Sequence, residues 1–132
     1  MITTTDAANI LYTACKNIFG MPVYQAGNIP AGKVGKDGRV VIHAKEYTPG
    51  STWKKGFIEV NLFAADTPHG NADLTRLNEL ERMATKFLKD MGWHDGTAYR
   101  FEVASTIPME NANLKAHYIN TKVLFKVLNT ME

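Results

Sequence analysis

The stretch from residue 57 to residue 91 constrains the fold of this chain more than any other. Its first seven residues, FIEVNLF, alternate so that Ile58, Val60 and Leu62 share one apolar face, which is typical of a half-buried strand. A polar break at residues 68–71 follows, and the next segment has the period of an amphipathic helix. The change of period predicts a helix layer packed on a sheet layer.

The predicted helix begins after Asp73, whose side chain can accept hydrogen bonds from the free amides of a first turn. Gly92 stands where a glycine commonly ends a helix. We expect Leu80 and Phe87 to be buried against the sheet, since both lie on the apolar face. That face comprises Leu77, Leu80, Ala84, Phe87, Leu88 and Met91.

A second helix is predicted near the amino terminus. Either Asp6 or a residue among Thr3–Thr5 can cap its first turn, and Gly20 and Pro22 end it. Its apolar stripe consists of Ile10, Leu11, Ala14, Cys15 and Ile18. A short strand is expected to start at Val23.

Three other segments alternate like strands: residues 39–47, 99–107 and 119–127. The first forms a long-looped antiparallel hairpin with residues 57–63, and Pro108–Leu114 is the expected turn between the other two. The order is therefore α-β-β-α-β-β. It predicts a two-layer α+β fold, in which a mostly antiparallel sheet of four to five strands packs against two helices.

Composition narrows the class of protein. The chain has 132 residues, which predicts a single domain over residues 1–132, with ordinary fractions of 45% hydrophobic and 21% charged residues. No apolar run approaches the roughly 20 residues of a membrane helix. Cys15 is the lone cysteine, and the polar residues 1–6 do not resemble a secretory signal, so we expect a soluble intracellular protein. A net charge of +2 does not indicate specific nucleic-acid binding.

Catalytic chemistry is not indicated by the spacing of reactive residues. The four histidines lack the short spacings of zinc motifs and are interpreted as surface or partly buried residues: His43, His69, His94 and His117. Cys15 lies on an apolar stripe, where a buried thiol is usual. Glu59 and Glu102 could meet across the sheet, as in a metal-dependent nuclease, but exposed glutamates are common on alternating strands. We therefore expect no enzyme activity, cofactor or metal.

Two predicted loops contain lysines that suit an interface, and one of them combines its lysines with a tryptophan. The indole of Trp53, at a loop tip, either folds back on the sheet or is free to contact a partner protein. Stacking on single-stranded nucleic acid is a less favoured use of the same residues. The predicted loops span residues 26–38 and 48–56. The candidate interface residues are Trp53, Lys54, Lys55, Lys33 and Lys36.

The pattern as a whole is similar to that of the tail-completion, or tail-terminator, proteins of long-tailed bacteriophages and prophages, which join the tail tube to the head. The resemblance lies in the order of the helices and strands and in the residue pattern within each, and it covers most of the chain. The matching segments are the amino-terminal helix, DGRVVIH, GFIEVNLFAAD, DLTRLNELERMATKFL, YRFEVASTI and HYINTKVLFKVL.

The resemblance implies self-association into a ring, commonly of six subunits, at the head-proximal end of the tail. It implies contacts with the tail-tube protein and the head–tail connector protein, without a membrane or specific nucleic acid. It also implies a location in the host cytoplasm during assembly and later in the virion tail. No active-site residue is transferred by it. Two other classes stay open, a small metal-dependent nuclease-like enzyme and a basic nucleic-acid-binding module.

Overall fold

The computed structural model describes residues 3–16, 19–29, 34–48, 53–91 and 99–128. The predicted α+β order is confirmed, including the short strand expected at Val23 after the first helix. The elements are α1 (Thr4–Lys16), β1 (Val23–Gln25), β2 (Arg39–Thr48), β3 (Trp53–Ala65), α2 (Leu74–Met91), β4 (Tyr99–Asn111), a 3-10 turn (Ala112–Leu114) and β5 (Ala116–Leu128).

The strands form one sheet in the order β1-β2-β3-β5-β4. Only β1 is parallel to its neighbour; the other three pairs of strands are antiparallel. The centre is the β3–β5 pair, which runs from Trp53 opposite Leu128 to Ala65 opposite Ala116. The two edges differ in length, because β1 has 3 residues and β4 has 13.

Both helices pack on the same face of the sheet and bury one main core. Leu80 is fully buried there, as predicted, whereas Phe87 is only partly buried and meets Phe19 edge-on, with ring centroids 5.9 Å apart. Ile18 and Gly92, predicted for this layer, lie outside the described residues, as does the side chain of Met91. Fully buried side chains of this core include Leu11, Cys15, Ile58, Val60, Leu62, Leu80, Leu88 and Val123.

The starts of the two helices are capped by side chains. The Thr3 hydroxyl accepts from the Asp6 amide, and the Asp6 carboxylate accepts from the Thr3 amide, each at 3.0 Å. This reciprocal arrangement makes Thr3 the cap of α1, and the hydrogen bond from the Thr3 backbone is the main cause that lowers the pKa of Asp6. In α2 the Asp73 side chain accepts from the Arg76 amide at 3.1 Å, so the predicted cap is confirmed.

The predicted turn at Pro108–Leu114 begins too early. β4 continues through Pro108 to Asn111, and the chain turns at Ala112–Leu114 with Lys115 in the left-handed region, φ 49°. Proline lacks an amide hydrogen, but an edge strand tolerates this because one side of its ladder has no partner.

A second, smaller cluster lies on the face of the sheet opposite the helices, called here the open face. Phe63 stacks on Tyr118 with centroids 4.5 Å apart, and Val34 covers this pair from the loop before β2. Gly38 permits the close approach of that loop: its φ is +76°, and a Cβ there would lie 2.3 Å from the Phe63 carbonyl oxygen.

Candidate functional site

The predicted loop containing Trp53, Lys54 and Lys55 is not a loop. β2 extends to Thr48, and β3 begins at Trp53, so all three residues belong to the central strand. Lys55 is exposed and lies opposite Thr48 on one side and opposite Lys126 on the other. The structure describes the backbone of Trp53 and Lys54 but not their side chains.

The structure does not bring the predicted basic residues together. Lys36 is exposed in the turn that precedes β2, whereas Lys55 is beside the last residue of β2. The 10 residues of that strand span roughly 30 Å at about 3.3 Å per residue. Lys33 lies outside the described residues. Lys36 and Lys55, predicted for two different loops, therefore lie at opposite ends of the sheet.

Exposed apolar side chains identify a different surface. Ile107 and Met109 are 53% and 42% exposed and project from alternate positions of β4, whose outer edge has no strand beside it in the described part of the chain. We call these two residues the β4 patch. Ile29, 40% exposed, follows β1 at the opposite edge of the sheet. Large exposed apolar side chains therefore occur at both edges.

The β4 patch continues the smaller apolar cluster. Met109 lies opposite Tyr118, and Tyr118 stacks on Phe63 in the next strand. An apolar band therefore crosses β3, β5 and β4 on the open face, and it ends at the exposed side chains of the β4 patch. Exposed apolar groups that extend a buried cluster are typical of surfaces that bind another protein.

The rest of the open face carries charges of both signs, and two ion pairs form between its strands. Lys45 and Glu59 approach to 3.6 Å, and Lys126 and Glu102 to 3.9 Å. The two glutamates do not face each other, because β5 lies between their strands and Glu59 is in register with Lys122. A carboxylate pair of the nuclease type does not form between them.

One polar cluster was not predicted from the sequence. His117, near the start of β5, lies between two carboxylates: its Nδ1 is 2.6 Å from Asp66 Oδ1, and its Nε2 is 3.2 Å from Glu110 Oε2. Asp66 follows β3, and Glu110 is in the last part of β4. A cavity of about 500 Å³ adjoins the cluster, lined by Asp66, Thr67, Pro68, Gly70, Glu110, Ala112 and Lys115.

This cluster arises from strand register. The closing turn of the β4–β5 hairpin places Glu110 opposite His117, and the β3–β5 pairing places Ala64 opposite the same histidine. The predicted hairpin between the last two strands could have shown that Glu110 pairs with His117. A turn that starts at Pro108 takes Glu110 out of the strand, so the predicted turn hides this pairing.

Burial shifts the pKa values of two other reactive side chains, Cys15 and His43. Burial raises the pKa of the Cys15 thiol to about 12, and burial followed by the nearby charge of Lys45 lowers the pKa of His43. His69 is exposed, and His94 lies outside the described residues. Within residues 3–16, 19–29, 34–48, 53–91 and 99–128, no group of three histidine, cysteine or acidic side chains is arranged to hold a metal ion.

Comparison with known proteins supports the fold and does not extend to a function. No protein family and no curated protein matches the sequence. A solved structure whose name carries no functional description is similar to this chain with a TM-score of 0.55 and 13% identity, over 98% of this chain and 96% of the other. Among the described helices, none is both long and apolar enough to cross a bilayer.

Proposed function

We propose that this protein is a structural assembly subunit of the tail-completion type, which forms a ring at the head-proximal end of a phage tail. The observation that carries the proposal is the presence of exposed apolar side chains at both edges of one sheet, the β4 patch on one side and Ile29 on the other. The resemblance in element order supplies the tail as the place of action.

Two different edges favour a head-to-tail contact between copies. A patch that binds a different patch on the next subunit generates a ring when the rotation closes, whereas a patch that binds itself stops at a dimer. β1 has only 3 residues and cannot pair with the whole of β4, so side chains rather than a continuous sheet would form most of the contact. The ring would present one end to the tail-tube protein and the other to the connector protein.

The ion pairs on the open face are consistent with an assembly role. Lys45 is paired with Glu59 and Lys126 with Glu102 within the subunit, so both described glutamates of these pairs offset basic charge on that face. Binding to nucleic acid favours basic charge that is left free for phosphates, because phosphate contacts supply much of its affinity. The apolar β4 patch is therefore a better candidate contact surface than the charged part of the open face.

Tail assembly tests this proposal directly. Deletion of the gene is expected to give tails that are not joined to heads, and a plasmid copy of the gene should restore joining. A copy carrying Ile107→Glu and Met109→Glu should fail to restore it, because each charge would be desolvated in the contact.

The matched control is Leu74→Glu, which introduces the same charge at an apolar residue that is 73% exposed on α2. That variant should restore joining. Normal virions from the deletion strain would refute the tail role. Normal virions from the double variant would refute the β4 patch as the contact while leaving the tail role standing.

A further inference from the structure

Backbone hydrogen bonds at the β4–β5 turn show which groups of β4 point away from the sheet. In a strand, the amide and carbonyl of one residue point to one side, and those of the next residue point to the other. The Asp66 amide donates to the Lys115 carbonyl at 3.0 Å, so this carbonyl points toward β3. The Ala116 amide belongs to the same planar trans peptide and therefore points the opposite way, toward β4.

The register then assigns the backbone groups of β4. Ala116 is opposite Asn111, so the groups of Asn111 bond to β5, as do those of every second residue before it as far as the register shift in β4. The residues between them direct their backbone groups to the outer side of the strand. These outward residues are Thr106, Pro108 and Glu110.

The other edge of the sheet leads to the same assignment. There the Val40 amide donates to the Pro22 carbonyl at 2.9 Å, so Val40 bonds to β1 and its neighbours in sequence bond to β3. Alternation carried through the registers of β3 and β5 makes Ile107 bond inward and Pro108 point outward. Two independent hydrogen bonds therefore place the proline on the outer side.

Pro108 interrupts the row of outward donors at its middle. Proline has no amide hydrogen, so the donors of Thr106 and Glu110 are separated by four residues, or roughly 13 Å at about 3.3 Å per residue. The proline ring also occupies the side of the backbone from which a partner carbonyl would approach. Pro108 is exposed, so burial of its ring in the core does not account for its presence.

We propose that Pro108 keeps the β4 edge from pairing with a strand of another molecule, above all the same edge of a second copy of this chain. An unpaired strand of 13 residues is a template for sheet extension, and natural proteins protect such edges with prolines and bulges. β4 carries both, since the register shift between Val103 and Ser105 adds one residue to its ladder. The exposed side chains of Ile107 and Met109 would favour such pairing. This protection does not depend on the proposed tail role.

Amide hydrogen exchange of the full chain, followed by NMR, tests the assignment of the edge. In the wild-type protein the outward amides of Thr106 and Glu110 should exchange at least about tenfold faster than the inward amides of Ile107 and Met109, because only the inward amides are in ladder hydrogen bonds. The difference should persist as the protein concentration rises. Equal protection of the two sets, or protection of the outward amides that grows with concentration, would overturn the proposal.

Pro108→Val tests the block itself, because it restores an outward donor and adds a side chain that suits a strand. Light scattering should show larger, concentration-dependent species than for the wild-type protein, and exchange at Thr106 and Glu110 should slow with concentration. Pro108→Ala restores the donor without a β-branched side chain and should behave in the same way. Association of neither variant would show that the proline is not what keeps the edge unpaired.

The matched control combines Pro108→Val with Glu110→Pro. It moves the missing donor by two residues, to another outward position whose side chain is 63% exposed. This double variant should return to the size and exchange pattern of the wild-type protein. Association that is retained in the double variant would show that the missing donor is not the cause, which would also overturn the proposal.

Discussion

Replacement of Leu80 by alanine tests how α2 is attached to the sheet. Leu80 is fully buried in the main core, within the apolar face of α2. The substitution removes three carbon atoms, which at about 0.8 kcal/mol each come to about 2.4 kcal/mol of transfer free energy. A remaining cavity of about 50 Å³ adds about 1.2 kcal/mol at about 24 cal/mol per Å³. The expected loss is therefore about 3 to 4 kcal/mol.

Urea denaturation followed by far-UV circular dichroism measures this loss as a change in the free energy of unfolding. Leu74→Ala is the control, since it is the same substitution in the same helix at a side chain that is 73% exposed. It should change stability by less than about 0.5 kcal/mol. A cost below about 1 kcal/mol for Leu80→Ala, or equal costs for the two variants, would refute the packing of α2 described above.

Three other predictions use the same measurement. Gly38→Ala should cost at least about 1 kcal/mol more than Gly27→Ala, because both have positive φ but only Gly38 has a backbone oxygen where the Cβ would be; equal costs would contradict this. Thr121→Val should raise stability by up to about 1 kcal/mol, since its hydroxyl is buried and has no hydrogen-bond partner among the described residues; a loss would mean that the hydroxyl is satisfied. Burial lowers the pKa of His43, so the unfolded chain binds a proton more readily and stability falls as the pH drops below about 6.5. His43→Gln should lose less stability than the wild-type protein between pH 7 and 5, and an identical loss would exclude His43 as a cause.

The layers of this fold follow from side-chain periodicity. Ile58, Val60 and Leu62 are all fully buried, as the alternation in β3 predicts, and Leu80 is buried as the helical period of α2 predicts. Asp73 caps α2 through a hydrogen bond to the amide three residues on. These features are set by neighbours in sequence, so local reasoning is sufficient for them.

The extents of the strands depended on partners that are distant in sequence. Lys55 and the adjacent glycine look like loop residues, but they are held between β2 and β5 on both sides. Pro108 looks like a turn residue, but it lies in an edge strand that tolerates it. Strand pairing overrode local composition in both places.

The candidate sites were the least predictable part. Asp66 and His117 are 51 residues apart in sequence, and their contact depends on the register of the central strand pair. The exposure of Ile107 and Met109 depends on β4 being at the edge of the sheet. Alternation identifies a face of a strand, but it does not specify which strand has no neighbour.

The central pairing of β3 with β5 has a consequence for how fast the chain reaches this fold. The β2–β3 and β4–β5 pairs join strands that are consecutive in sequence, whereas β3 and β5 are separated by α2 and β4. Two hairpins can therefore form early, and their union must close a long loop before its contacts contribute stability. Substitutions along the β3–β5 seam would then slow folding, while those elsewhere would mainly speed unfolding. A newly synthesised chain would expose the unpaired edges of β3 and β5 for the time that this one step takes.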